Sequence, residues 1–152
     1  MKKLLLVGTV AIALLAASCK SKSERLVGNW TVTECTITNL DELRKKELMD
    51  TPDSLMEQAK AMLEDNIKKF TDNSKKETYE FEADSFNINR AGRKYNGVWK
   101  VSSDNKMLFL VPNMNANSPI DAFTIESLEA KEIKISRALT PENTAIYTLE
   151  KQ

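Results

Sequence analysis

The chain has 152 residues, with 22 basic side chains against 22 acidic ones, two cysteines and no histidine. That length fits one domain with enough interior for a hydrophobic core, and the balanced charge excludes the clustered basic surplus of a nucleic-acid binder. Without histidine there is no Ser-His or Cys-His pair, no imidazole metal ligand and no ordinary proton shuttle near neutral pH.

At the start of the chain, Lys2 and Lys3 precede an apolar run over 4–15, and Ala16-Ala17-Ser18 stands directly before Cys19. A basic n-region, an apolar stretch of about a dozen residues and small residues at a cut site define a secretory signal over 1–18; a spanning helix needs roughly 20 apolar residues. Leu15-Ala16-Ala17-Ser18-Cys19 resembles the lipobox of bacterial lipoproteins, with Ala16 where that motif usually carries Leu. The resemblance implies that Cys19 is acylated, becomes the first mature residue and anchors the chain to a membrane. Cys35 is then left without an intramolecular partner. It sits in a strand-like stretch with no imidazole to activate it, so it reads as a buried, inert thiol, with intermolecular pairing as the other reading.

Residues 20–24 are polar, so 19–25 reads as a lipidated tether reaching on the order of 20 Å when extended. Some related lipoproteins of the Bacteroidetes type carry an acidic run after the acylated Cys that routes them to the cell surface. Lys20, Ser21, Lys22 and Ser23 stand there instead, which by that resemblance implies the outer membrane, facing the periplasm.

The domain proper spans 26–152. An aromatic and β-branched stretch over 26–37 reads as a first strand, and a helical insert follows at about 39–71. Within it, 39–50 and 51–70 read as helices. The second is the clearer: Thr51 suits an N-cap, Pro52 a first helical position and Asp53 the helix N-terminus. Leu55, Ala59, Met62, Leu63, Ile67 and Phe70 make an apolar face, with Glu64 to Lys68 and Asp65 to Lys69 as i to i+4 pairs on the other side. Short alternating segments then follow at 78–82, 85–89, 95–101, 106–111, 120–127, 132–136 and 144–149, joined by turn residues. With the first strand they make about eight. Hairpin-length connections predict a mainly β fold, an up-and-down antiparallel barrel that leaves no exposed edge; a two-sheet sandwich is the alternative.

Leu26-Val27-Gly28-Asn29-Trp30 matches the Gly-x-Trp opening of lipocalin-like barrels. Thr78-Tyr79-Glu80-Phe81, Gly97-Val98-Trp99-Lys100-Val101 and Ile125-Glu126-Ser127-Leu128 resemble blocks of the lipocalin-like lipoproteins common in Bacteroidetes. The resemblance covers nearly all of 26–152 except the insert. It implies that Trp30 closes one end of the barrel and that Arg137, from a late strand, packs across it as a structural cation-π pair worth about 1 kcal/mol.

Tyr79, Phe81, Phe86, Ile88, Tyr95, Trp99, Ile133 and Ile135 alternate with charged or amide residues, which predicts an oily interior and a wet exterior. Eight strands leave an interior that side chains just fill or that holds one small ligand, and the pattern leaves both open. The insert lies where fatty-acid-binding proteins, cousins of lipocalins, place a helical lid. Met49, Met56 and Met62 would give a lid an adaptable surface, whereas an amphipathic helix packed on the barrel as plain core fits the same pattern. The functional expectation is a non-enzymatic envelope lipoprotein binding a small lipophilic molecule through Tyr79, Phe81, Phe86, Ile88, Phe109 and Phe123. The alternative is an accessory lipoprotein with a filled barrel that presents Tyr95 or the loop over 112–119 to an envelope protein. No metal or cofactor is expected: Glu80 and Glu82 lie on the outer face, and there is no Gly-rich phosphate loop, Cys-x-x-Cys pair or twelve-residue calcium loop.

Overall fold

The computed structural model describes residues 21–113 and 120–152. The leader, Cys19 and most of the loop over 112–119 lie outside them. Eight strands follow one another antiparallel: β1 (Gly28–Ile37), β2 (Thr78–Phe81), β3 (Ser85–Arg90), β4 (Arg93–Val101), β5 (Met107–Pro112), β6 (Asp121–Leu128), β7 (Glu132–Ala138) and β8 (Thr144–Lys151). Each pairs with the next, and β8 pairs back onto β1, so the sheet is a closed up-and-down barrel with a helical insert between its first two strands. Closure gives every strand two neighbours and removes the sheet edge.

The topology fixes two ends. β1 starts, and the turns after β2, β4 and β6 lie, at one end; the insert and the turns after β3, β5 and β7 lie at the other. The first is closed by α1 (Lys22–Leu26), which packs against β6 and whose Leu26 is 0% exposed. The expected extended tether is therefore a helical turn from Ser21 onward. Its cause is a capping box: Ser21 Oγ accepts from the Glu24 N–H (3.2 Å) while Glu24 Oε2 accepts from the Ser21 N–H (2.7 Å). Trp30 packs beneath this turn, its Nε1 donating to the Leu26 carbonyl at 2.7 Å.

Inward residues alternate along the strands except at bulges in β1 and in β6, the latter between Ile125 and Ser127. A bulge between Val32 and Glu34 shifts the parity of β1, so that Trp30, Val32 and then Cys35 all face the core. The Cys35 thiol is buried and free, and burial raises its pKa. At Gly97, on the inner face of β4, a Cβ would lie 2.0 Å from the Val111 carbonyl oxygen, so the close approach of β4 and β5 requires glycine there.

The insert is a helical hairpin, α2 (Leu40–Leu48) and α3 (Met56–Ser74), joined through a 3-10 turn at Asp53–Leu55. Thr51 does not cap the second helix. Pro52 is extended (φ −59°, ψ 144°), the 3-10 turn intervenes, and α3 starts at Met56 with no side-chain cap. Of the expected pairs, Lys69 meets Asp65 at 2.5 Å. Glu64 instead takes Arg44 of α2 at 2.6 Å, and Lys68 takes Asp72. A planar guanidinium offers a carboxylate two parallel donors, which an i to i+4 lysine cannot match. The root of the hairpin is held by buried Asn143, whose Nδ2 donates to the Thr38 and Asn39 carbonyls at 2.8 and 3.0 Å. α3 packs against α2 and β1, and its apolar face is only half covered. Among the described residues no helix is long and apolar enough to cross a membrane.

Candidate functional site

Five of the six residues expected to line a cavity meet in the barrel. Tyr79, Phe81, Phe86, Ile88 and Phe123 are between 0% and 3% exposed, with Phe81 edge-on to Trp99 at 5.6 Å and Phe123 edge-on to Tyr147 at 6.0 Å. That near-total burial leaves no water-sized space against them, so this part of the interior is filled by side chains, at the density usual for a protein core. Phe109 is not among them. Leu108 and Leu110 face inward on β5, and Phe109, between Lys100 and Ala122 on the neighbouring strands, stands on the outer face.

The expected partner of Trp30 also differs. Arg137 lies at the far end of β7, and its guanidinium stacks over Phe123 at 5.7 Å. Lys151, the register neighbour of Trp30 on β8, takes the indole: its Nζ is 5.1 Å from the ring centroid and donates to the Val27 carbonyl at 2.8 Å.

At the mouth the inner face changes character. Inward parity runs Phe86, Ile88, Arg90 on β3; Ile125, Phe123, Asp121 on β6; and Ile133, Ile135, Arg137 on β7, so each series ends in a charge at the same end of the barrel. Glu77, just before β2, continues the series from Phe81 and Tyr79. Glu77 Oε2 accepts from the Tyr79 hydroxyl (2.7 Å) and from Arg90 Nε (3.2 Å). Asp121 accepts from Arg90 Nη1 and from Arg137 Nη1, both at 3.2 Å, and Arg137 Nη2 reaches the Tyr147 hydroxyl at 3.5 Å. Two cations and two anions thus form one chain across β2, β3, β6 and β7, with the Glu77 side chain 7% exposed and the other three charges about a quarter exposed.

The electrostatics follow from burial. It raises the Tyr79 hydroxyl pKa, with the Glu77 carboxylate adding to the effect, and it raises that of Tyr147. Burial opposes the charge on Arg90, but the facing Tyr79 and Glu77 oxygens more than offset it and its pKa rises. Among the described residues no buried side-chain polar atom lacks a hydrogen-bond partner. The cluster is internally satisfied, so it braces the mouth; an acidic ligand entering there would have to displace Asp121.

Sequence reasoning missed this cluster, although the signal was present: carrying the inward alternation one step further on β3, β6 and β7 lands on Arg90, Asp121 and Arg137. Among the described residues, cavities lie outside the barrel at two places. One, of about 500 Å³, is on the outer face of β1 to β4; the other, of about 360 Å³, is at the hairpin tip among Thr51, Pro52, Leu55, Ala59 and Met62. Beside the latter Met49, Leu55 and Met62 stand 73%, 51% and 59% exposed.

No protein family and no curated protein matches the sequence. Among solved structures, a lipocalin-like protein from Bacteroides uniformis is similar over 84% of this chain and 99% of its own, at 11% identity and a TM-score of 0.45. An uncharacterized protein from Bacteroides eggerthii is similar over 83% of this chain and 98% of its own, at 13% identity and the same TM-score.

Proposed function

We propose that the chain is a non-enzymatic lipoprotein of the bacterial cell envelope that binds a protein partner through the hairpin end of a filled barrel. The observation that carries this reading is the contrast between aromatic side chains packed without space inside and the large apolar side chains of Met49, Leu55 and Met62 left in solvent at the hairpin tip. Exposed apolar groups of this size, rimmed by Asp50, Gln58 and Thr51, fit a contact surface better than they fit a monomer's ordinary exterior. The leader and the Ala16-Ala17-Ser18-Cys19 site support lipidation at Cys19 and an outer-membrane position facing the periplasm. Anchoring there would place the closed end nearest the lipid, because α1 follows within a few residues. The hairpin, on the opposite end, would then face water and soluble or periplasm-facing partners.

A second reading, a small lipophilic ligand, has its own observation. The 360 Å³ hollow at the hairpin tip is walled by Leu55, Ala59 and Met62, and is within the range of small-molecule sites. Native mass spectrometry of the chain gently extracted from its own envelope separates the two. A complex with a second polypeptide that is lost in Met62→Ser supports the first reading. A co-purifying apolar compound, with no polypeptide partner, replaces it with the second. The same preparation from Cys19→Ser should leave the membrane fraction; retention there would remove the anchor from the proposal.

A further inference from the structure

The outer face of the barrel changes character from strand to strand. Outward positions read Thr78 and Glu80 on β2, Asn87 and Asn89 on β3, and Glu132 and Lys134 on β7. On β5 they read Met107, Phe109 and Val111. Register carries this apolar strip onto both neighbours: Val111 pairs with Val98 of β4, which is 42% exposed, and Phe109 pairs with Ala122 of β6. Ile120, just before β6, is 59% exposed. A strand face turned to water ordinarily carries polar side chains, so an apolar strip continuous across three strands marks a contact surface.

Charge, the path of the chain and the place of the hairpin say what covers it. The charged outward side chains of β4 and β5 are Lys94 and Lys100, both exposed, with no acid among them. In the turn between these strands Asp104 accepts from Ser102 Oγ and from the Lys106 N–H, and the Lys106 side chain offsets its charge. Glu126 of β6 is engaged on the other side, accepting from Ser136 Oγ of β7. The strip is therefore apolar with a basic margin. Such a surface suits anionic headgroups, because lysine stems lie along apolar ground while the ammonium groups reach phosphate. The chain also enters the domain here: Lys22 Nζ, at the start of α1, donates to the Asn105 carbonyl in the same turn at 3.1 Å, and α1 packs against β6. Cys19 precedes Lys22 by three residues, about 11 Å of fully extended chain. A lipid on Cys19 is thus held beside the closed end of β4 to β6. In a closed ring of eight strands β5 stands four places from β1 in either direction, and β1 is the strand against which α3 packs. A bilayer on the strip leaves the hairpin on the far side, in water.

We infer that the outer face of β4 to β6 is a membrane-interface surface, on which the acylated chain lies against the anionic phospholipids of the leaflet that holds its anchor. The inference rests on the reading of Cys19 as acylated and adds an orientation to it: the barrel reclines on β5 instead of standing on α1. The anchor makes the surface contact intramolecular. A strip too small to hold a free protein on a bilayer therefore suffices once the lipid keeps it near, just as one acyl chain is reinforced by a second, weaker signal.

The test uses the full-length chain extracted from its own envelope and reconstituted in vesicles of phosphatidylethanolamine and phosphatidylglycerol, with a nitroxide on a fraction of the headgroups. A bimane label is carried on Val98→Cys or, as a control at the hairpin tip, on Gln58→Cys. Both positions are exposed and Cys35 is buried, so the label goes to the introduced thiol and melting temperatures should match the parent. The expected result is a blue-shifted label quenched by nitroxide at Val98, and an unquenched label at Gln58. With Lys94→Glu/Lys100→Glu added, the protein should still float with the vesicles through its anchor and lose the quenching. Flotation without quenching at Val98, or with equal quenching at both positions, overturns the orientation and leaves the anchor standing. Quenching that survives the double variant overturns it too. A parent that does not float removes the anchor, and the inference with it. A blue shift at Val98 that rises with protein concentration and ignores the nitroxide assigns the strip to a second copy of the chain and overturns the inference as well.

Discussion

At the closed end of the barrel, Trp30, Phe81, Phe86 and Trp99 meet under Leu26 of α1, each almost wholly buried, and the flexible tip of Lys151 lies over the ring of Trp30. At the mouth the same strands end in Glu77, Arg90, Asp121 and Arg137, and the hairpin above them leaves its apolar face half covered. The closed end gains from non-directional burial, roughly proportional to the apolar area removed from water. The mouth is held by directional contacts that contribute less net free energy but fix geometry. Apolar burial is thus concentrated at one end, and exposed apolar surface at the other, the usual division between scaffold and contact surface.

The sharpest way to break this contrast is Trp30→Ala. It opens a cavity in the tightest part of the core, leaves the Leu26 carbonyl without its indole donor and strands Lys151 over empty space. The expected loss is about 3–5 kcal/mol, read by urea denaturation. A loss under about 1 kcal/mol would mean that the closed end is not where the stability resides.

A smaller effect, confined to the mouth, should appear in alkali. Tyr79 and Tyr147 both hold their protons more tightly folded than unfolded, because burial penalises the phenolate. Below the ordinary tyrosine pKa of about 10 both states are protonated and these groups give stability no slope. Above it the unfolded chain releases protons that the native chain retains, so stability falls as pH rises, by about 1.4 kcal/mol per pH unit for each proton withheld. Tyr147→Phe removes one of the two titrations and should flatten the fall between pH 10 and 11.5 while leaving stability at pH 7 nearly unchanged. An unaltered slope would show that the Tyr147 hydroxyl is not sequestered at the mouth.

The two ends were not equally legible in the sequence. Tyr79, Phe81, Phe86, Ile88, Trp99, Ile133 and Ile135 alternate with polar residues, and a period of two against polar neighbours admits one inward parity. The barrel order and the place of the insert follow from those segments and their short turns. Phe109 was misplaced because Met107, Leu108, Phe109, Leu110 and Val111 are apolar on both faces, so alternation gives no parity there. Cys35 points inward only through the bulge after Val32, which nothing in the residue types announces. The Arg137 partner was carried over from a resemblance rather than from register, and register pairs Trp30 with Lys151. The mouth cluster was missed because Glu77, Arg90 and Arg137 fall one residue outside the alternating segments at 78–82, 85–89 and 132–136, whereas at a strand's last inward position a charge can find partners on neighbouring strands. The cap at Thr51 failed for a local reason, since Pro52 continues as extended chain before the 3-10 turn.

The smallest effect on the fold falls at the hairpin tip. Met62 is 59% exposed and lines the hairpin-tip hollow with Leu55, so truncating it removes little buried area. Met62→Ser should change global stability by no more than about 0.5 kcal/mol, read by the same urea denaturation as Trp30→Ala. If the tip is a contact surface, that near-silent substitution should nonetheless weaken partner binding, because a methionine at the centre of an apolar contact is desolvated only in the complex. The two readouts therefore separate in opposite directions along the molecule: Trp30 carries stability without contacting a partner, and Met62 carries contact without stability. A Met62→Ser protein that loses several kcal/mol would place the hairpin in the core and remove it from the binding surface. One that keeps both its stability and its full set of co-purifying proteins would leave the hairpin as solvated packing, and the search for a partner would move to the outer face of the strands.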